Sequence, residues 1–201
     1  MPTDGVSTAK GRATRDRIVG TAAEIMYRKG VAGTAMPVVR ADAGVSSSQI
    51  YHYFTDKDAL TKAVLDRWAV EIVASQVAVL ASVEDFAGLR RWRDHVVNGA
   101  AGGFGCPLGV LTSELAGEDW ARRAGGDGFE RWQHGIGDAL DRLVECGVLG
   151  DDVEAESWSV TLLSAVQGGL LLSRVTGSTQ ALATALDTTL DALARVGEVD
   201  G

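Results

Sequence analysis

The chain has 201 residues, of which 46% are hydrophobic and 23% are charged. This composition is ordinary for a globular protein and excludes wholesale disorder. No apolar run reaches the roughly 18 residues that a membrane-spanning helix needs. Because the N-terminus is polar and lacks an apolar signal core, the sequence predicts a cytoplasmic protein.

The formal net charge of −8 is divided unevenly along the chain. Residues 1–60 hold eight basic and six acidic residues, a net charge of +2, whereas residues 61–201 hold 11 basic and 21 acidic residues, a net charge of −10. A weakly positive head on an acidic body is expected when only the head approaches a polyanion.

Apolar residues recur with a period near 3.6, and no segment alternates cleanly with a period of two, so the sequence predicts an all-α fold of about nine helices. In chain order these run over about 14–29, 36–43, 47–53, from 56 past 72, 86–97, 107–115, 132–143, 152–176 and 178–196. Gly30 and Gly44 are expected to end the first two helices. Thr34 is expected to cap the second helix and Ser46 the third.

The second and third predicted helices are short and are joined by Gly44, Val45 and Ser46. Helices of this length are marginal alone in water, so tertiary packing must hold them. Gly44 permits a left-handed backbone at the turn, and Val45 can point into a small core. Two helices joined in this way form a helix-turn-helix, whose second helix normally enters the major groove of DNA. Short helix pairs also occur as plain packing units, and spacing alone leaves both readings open.

The start of the third helix is rich in hydrogen-bonding groups. Gln49 can make a paired contact with adenine, serine can contact bases or phosphates, and Tyr51 and His52 suit the phosphate walls. Ile50, Tyr53 and Phe54 are expected to pack in the core. Lys57 and the free N–H groups of the fourth helix could hold one phosphate together. The predicted DNA-contacting residues are Thr34, Arg40, Ser46, Ser47, Ser48, Gln49, Tyr51, His52 and Lys57.

These residues carry a resemblance to a known family. The run Ala43–Ser46, followed by Ile50–Phe54, Lys57-Asp58, Leu60 and Val64-Leu65, resembles the DNA-binding domain of the TetR family of transcriptional regulators. The segments 105–109, 113–115 and 167–172 resemble the LmrA/YxaF-like branch. The family often has lysine or arginine at the position of Ser47 and glycine at that of Ser48, and a small residue at that of Arg40. These departures concern the operator sequence rather than the fold.

We expect two domains. Residues 1–57 form the N-terminal helix-turn-helix domain, with 1–11 as a disordered arm, and residues 58–201 form a helical domain for effector binding and dimerisation. The fourth helix is shared by both, and the resemblance implies that an effector acts on the head through it.

One recognition helix contacts only a few base pairs, at about 1–3 kcal/mol for each good contact. Two copies about 34–36 Å apart on a two-fold axis can read a palindromic operator. The eighth and ninth helices carry apolar stripes that could form a four-helix bundle between two subunits or face the subunit's own core. The resemblance implies a homodimer through these helices. The predicted dimer interface consists of Leu162, Ala165, Gly169, Leu172, Leu182, Leu186 and Leu190.

Aromatic residues on the middle helices are more often core than ligand site, although ligand sites in helical bundles are lined in this way. The predicted effector pocket consists of Trp68, Trp92, His95, Phe104, Leu108, Thr112, Leu115, Trp132, Ile136, Trp158 and Gln167, with Ser113, Glu114, Gln133 and His134 as further polar candidates. The acidic body favours a neutral aromatic or a cationic apolar small molecule.

The sequence contains no Gly-x-Ser-x-Gly elbow, no phosphate-binding loop and no paired metal ligands, so we expect no enzyme, no cofactor and no metal. The sequence predicts a dimeric, sequence-specific DNA-binding transcriptional regulator, a repressor that a small hydrophobic effector releases from its operator. The alternative is a helical small-molecule-binding dimer that does not bind DNA specifically.

Overall fold

Nine α-helices and no strands make up the residues that the computed structural model describes, 8–101 and 105–197. The helices are α1 (Ala9–Lys29), α2 (Met36–Asp42), α3 (Ser47–Tyr53), α4 (Lys57–Leu80), α5 (Phe86–Gly99), α6 (Pro107–Glu114), α7 (Asp119–Glu145), α8 (Ala155–Thr176) and α9 (Gln180–Val196). The predicted all-α class is confirmed. The largest difference from the predicted bounds is at α7, which begins at Asp119 rather than near Trp132 because packing against α4 and α6 holds its glycine-rich first half.

The first helix also begins earlier than predicted. Thr8 caps α1 by accepting a hydrogen bond from the N–H of Gly11 at 3.1 Å, and the helix starts at Ala9. The prediction that residues 1–11 form a disordered arm is therefore wrong for residues 9–11, while residues 1–7 lie outside the described residues.

The turn between α2 and α3 has the predicted conformation. Gly44 has a φ of 62°, in the left-handed region, and Val45 is buried in the head together with Ile18, Val39 and Ile50. The cap of α2 differs from the prediction, because the N-cap residue is Ala35, without a side-chain bond. The Thr34 hydroxyl instead donates to the carbonyl of Gly30 at 2.8 Å and closes the turn after α1.

The fourth helix joins the head to the body. It packs against α1 of the head and against α5, α6 and, most extensively, α7 of the body. Leu60, Val64 and Leu65 are fully buried on the head side, and Leu80 on the body side. Because α4 also packs against the head, a displacement of α6 or α7 would push on a helix that supports the helix-turn-helix.

The apolar stripe of α9 faces the subunit's own core. Leu162 of α8 and Leu182, Leu186 and Leu190 of α9 are all fully buried within one chain. Gly169 is buried too, at the crossing of α8 and α9, where an added Cβ would lie 2.6 Å from the Cα of Leu182. The prediction that these five residues form the dimer surface is wrong, since the intramolecular packing of α8 on α9 covers them.

A different stripe of α8 is exposed. Among the predicted interface residues, Leu172 is 49% exposed and Ala165 is half-buried. Val160, Leu171 and Val175 are 46%, 62% and 75% exposed. We call Val160, Leu171, Leu172 and Val175 the α8 stripe.

Candidate DNA-binding site and effector cavity

The start of α3 is held by a capping box. The Ser46 hydroxyl accepts from the N–H of Gln49 at 3.2 Å, and the Gln49 Oε1 accepts from the N–H of Ser46 at 2.8 Å. The Ser46 and Ser48 hydroxyls also lie 3.0 Å apart, within hydrogen-bonding distance. The amide oxygen of Gln49 is therefore already engaged, and a bidentate contact with adenine requires this box to open.

The two faces of α3 separate packing residues from exposed ones. Ile50 and Phe54 are buried, as predicted, and Tyr53 is half-buried. The side chains of the α3 tip, which we define as Ser47, Ser48, Gln49, Tyr51 and His52, are all exposed. Since one face is anchored in the core, the other can present its hydroxyl, amide and imidazole groups to a groove without local unfolding.

Lys57 begins α4, as predicted, but its ammonium has a partner within the protein. Its half-buried ammonium donates to the carbonyl of Val31 at 3.1 Å, so it fastens the turn after α1. The N-terminus of α4 is closed by Asp56, whose carboxylate accepts from the N–H of Ala59 at 2.8 Å. This bond, together with the Thr55 hydroxyl, holds the pKa of Asp56 below its ordinary value. A carboxylate at this helix end repels a phosphate, so the structure disfavours the predicted phosphate contact of Lys57.

The remaining predicted DNA contacts divide by exposure. Thr34 is buried, so its side chain lies away from the surface, whereas Arg40 is half-buried at the end of α2. Arg15 is a further candidate DNA contact that was not predicted from the sequence. Its guanidinium carbon lies 5.5 Å from the centre of the Phe54 ring, next to α3. Because the contact joins α1 to the end of α3, no local sequence pattern predicts it.

A cavity of about 880 Å³ lies among α6, α7 and α8. Its wall is largely apolar and includes Val110, Phe129, Leu163, Leu170 and Leu171, with polar groups from Thr112, Ser113, Glu114 and Gln167. Cys106 also lines it, and burial raises the pKa of this thiol, which keeps it neutral.

Of the predicted pocket residues, Thr112 and Gln167 line this cavity; of the further polar candidates, Ser113 and Glu114 line it and Gln133 and His134 do not. Trp68, Trp92, Leu108, Trp132 and Ile136 are buried in the core, Leu115 and Trp158 are half-buried against it, and His95 is exposed on α5. Phe104 lies outside the described residues. The pocket prediction is therefore wrong for the core residues, whose side chains fill the space between the helices, and for His95, which lies on the surface.

Two polar atoms of the cavity wall are buried without a hydrogen-bond partner among the described residues. They are the Thr112 Oγ1 and the Gln167 Nε2. Neighbouring protein atoms cover both of them. The Thr112 hydroxyl lies against α7, where a Cβ added at Gly125 would be 2.4 Å from it, so a bound molecule could reach it only after the Thr112 side chain turns.

Comparison with known proteins gives the family. Residues 86–188 match the model of the LmrA/YxaF-like transcriptional regulator C-terminal domain, and residues 18–64 match that of bacterial regulatory proteins of the tetR family. The chain belongs to the TetR family. TetR-family regulators are dimeric DNA-binding proteins rather than enzymes. The TetR-family resemblance predicted from the helix-turn-helix residues is therefore confirmed.

Individual TetR-family relatives span nearly the whole chain. An HTH-type transcriptional regulator in the lacX 3′ region of Lactococcus lactis subsp. lactis is 26% identical over 197 residues, covering 93% of this chain and 96% of its own. A TetR-family regulator from Cytophaga hutchinsonii superposes with a TM-score of 0.84 at 20% identity, covering 96% of this chain and 98% of that chain. The reduced form of E. coli NemR gives a TM-score of 0.81 at 22% identity, covering 90% and 98%. These structures establish the shared fold.

The head and the body of this TetR-family chain are joined by polar contacts as well as by α4. Glu114, the last residue of α6, accepts from the N–H of Val31 at 3.0 Å and from that of Ala32 at 3.1 Å. The Tyr27 hydroxyl of α1 donates to the carbonyl of Gly105 at 2.6 Å.

Among residues 8–101 and 105–197, no helix combines the length and the hydropathy that a membrane-spanning segment needs.

Proposed function

We propose that this TetR-family regulator is a repressor that binds a palindromic operator as a homodimer and that a small apolar effector releases it. The observation that carries the proposal is the α3 tip, whose hydrogen-bonding side chains are exposed while Ile50 and Phe54 on the opposite face are buried. The uneven charge supports it, because residues 1–60 carry a net charge of +2 and residues 61–201 a net charge of −10.

The α8 stripe is the proposed dimer surface. Leu171, which also lines the cavity at its edge, and Val175 are one helical turn apart and are 62% and 75% exposed, an unusual exposure for large aliphatic side chains. A second copy of the stripe, related by a two-fold axis, would bury them, as expected for a family that dimerises. The proposal requires that this axis place two α3 tips on one side of a duplex.

The cavity favours a neutral apolar effector. A volume of about 880 Å³ is in the range of small-molecule sites. Arg122 and Arg174 line it, and the carboxylate of Glu114 is already engaged by two backbone N–H groups, so a cationic ligand would meet guanidinium groups. The uncharged polar side chains of the wall, Thr112, Ser113 and Gln167, could bond to a polar group of a neutral molecule.

A DNA titration tests the proposal. Fluorescence anisotropy would follow binding to a duplex from the region upstream of the protein's own gene and to a scrambled duplex, over a range of salt concentrations. We expect specific binding whose affinity falls steeply with salt, since phosphate contacts release counterions. Ser47→Ala and Tyr51→Phe should each weaken binding by roughly 5- to 150-fold, the equivalent of a contact worth about 1–3 kcal/mol.

Ser157→Ala serves as the control, because Ser157 is an exposed serine at the start of α8, in the body. It should bind like the parent chain. Equal affinity for both duplexes would support the alternative of a small-molecule-binding dimer without specific DNA binding. Release from the specific duplex by neutral apolar compounds, but not by cationic ones, would support the proposed effector class.

A further inference from the structure

The turn that follows α1 is hydrogen-bonded to a residue of the cavity wall. Glu114 lines the cavity and is also the residue whose two carboxylate oxygens accept from the N–H groups of Val31 and Ala32. We call these two bonds the Glu114 link. The link spans 83 positions of sequence and runs directly from the body to the turn that leads into the helix-turn-helix.

The turn is built to receive this carboxylate. Gly30 has a φ of 74°, and a Cβ added there would lie 3.0 and 3.1 Å from the two Glu114 oxygens. Glycine at this position therefore permits both the backbone conformation and the close approach. Val31 is held from the other side as well, because its carbonyl accepts from the ammonium of Lys57. Both polar backbone groups of Val31 are thus engaged by charged side chains.

The other end of α6 is also connected to α1. Gly105, just before α6, lines the cavity and accepts the hydroxyl of Tyr27 at 2.6 Å. The Tyr27 ring meets Trp68 of α4 edge-on, with 5.9 Å between the ring centroids. Both ends of α6 are therefore fastened to the last turn of α1 or to the residues that follow it.

α6 is suited to transmit occupancy of the cavity. It has eight residues, a length at which packing rather than internal hydrogen bonding holds a helix in place. One face of it, with Val110 and Ser113, lines the cavity, while Leu108 and Leu111 are buried. A molecule that presses on the cavity wall displaces α6, and its fastened ends carry the displacement to α1.

We infer that Glu114 is a positioning residue that couples occupancy of the cavity to the orientation of the helix-turn-helix. This inference rests on the proposed function, and it adds a direct route through α6 and α1 to the one through α4. Because coupling is a difference in free energy between two states, loss of the link reduces the effect of cavity occupancy on DNA affinity without abolishing DNA binding.

A double-mutant cycle tests the inference without knowledge of the effector. Leu163 belongs to the α8 wall of the cavity, so Leu163→Trp fills part of the cavity from α8. Glu114→Gln keeps one acceptor oxygen but turns an NH₂ group toward the second N–H, so it can hold only one of the two amides. Glu118→Gln, in the turn before α7, removes the same charge where the side chain makes no cap bond, and is the matched control.

The measurement is the affinity for the specific duplex of the parent chain and of each background with and without Leu163→Trp. Typical allosteric coupling is roughly 5- to 150-fold. We expect Leu163→Trp to weaken binding by about tenfold in the parent and Glu118→Gln backgrounds, and by less than about threefold with Glu114→Gln. Thermal unfolding checks that every variant is folded.

Each result decides between the proposals. Equal weakening in all three backgrounds would overturn the role of Glu114 and leave the proposed function in place. No weakening in the parent background would overturn the effector regulation and, with it, this inference. If Glu114→Gln does not fold, Tyr27→Phe provides the second test, since it removes the bond to Gly105 and keeps the ring against Trp68; an undiminished effect of Leu163→Trp there would contradict the inference.

Discussion

Replacing Gly169 by alanine tests how closely α8 packs against α9. An alanine Cβ at this position would lie 2.6 Å from both the Cα and the Cδ1 of Leu182, whereas carbon atoms in contact are about 3.5–4.0 Å apart. The Leu182 Cα belongs to the backbone, so a rotamer change cannot relieve the overlap. α9 has to move away, and with it Leu186 and Leu190, which are fully buried.

The matched control is the neighbouring Gly168→Ala, because a Cβ at Gly168 meets nothing within 4 Å. Alanine is favoured over glycine in a helix by about 1 kcal/mol, and this gain is common to both variants. The two alanine variants should therefore differ by the cost of overpacking alone, about 1–3 kcal/mol. In a chain of this size, each kcal/mol shifts the Tm by roughly 2–4 °C.

Thermal unfolding followed by circular dichroism would measure the difference. Both variants should be compared at one protein concentration, because dimerisation makes the Tm concentration-dependent. Gly168→Ala should melt at or above the parent Tm, and Gly169→Ala several degrees below Gly168→Ala. Equal Tm values for the two variants would refute the close crossing of α8 and α9.

Three further predictions concern the α3 tip, α7 and α1. Gln49→Glu should preserve the capping box and leave the Tm unchanged or slightly raised, since a carboxylate suits a helix N-terminus, yet weaken operator binding in the anisotropy assay; unaltered affinity would show that this side chain does not face DNA. Gly125→Ala should lower the Tm, because its Cβ would lie 2.4 Å from the Thr112 side chain, whereas Gly126→Ala, in open space, should not; equal melting of the two would count against the packing of α6 on α7. Burial raises the pKa of Tyr27 from 10.0 to about 12. Because Tyr27 then ionises in the unfolded chain before it ionises in the folded one, the free energy of unfolding should fall as the pH rises from 10 toward 12. Urea unfolding at pH 9 and 11 should show a smaller fall for Tyr27→Phe, and an equal fall in both chains would contradict the raised pKa of Tyr27.

The helix-turn-helix is predictable from sequence because its signals are local. Gly44 adopts the left-handed turn, Val45 is buried and Ser46 caps α3, each within a few residues of the pattern that predicted it. The capping box has the Ser-x-x-Gln spacing of a known motif, but from the sequence Gln49 was predicted only as a DNA-contacting residue. The structure shows that the same amide oxygen also stabilises the helix start.

The cavity and the proposed dimer surface depend on contacts between distant segments. α8 is apolar on most sides, so its sequence does not say whether Leu162 or Leu171 faces outward; only packing on α9 buries the first and exposes the second. Likewise, nothing local to Lys57 or Glu114 reveals that both side chains meet Val31. Aromatic residues such as Trp132 marked the core rather than the cavity, because large side chains fill space.

Hydroxyl-radical footprinting of the upstream region tests most directly whether two α3 tips bind DNA together. The structure and the proposed dimer predict two protected half-sites on one face of the duplex, with centres about 10–10.5 base pairs or a multiple of that apart. Tyr51→Phe should reduce the protection of both half-sites together. A single protected patch, or protection that is insensitive to changes in the α3 tip, would contradict this mode of binding.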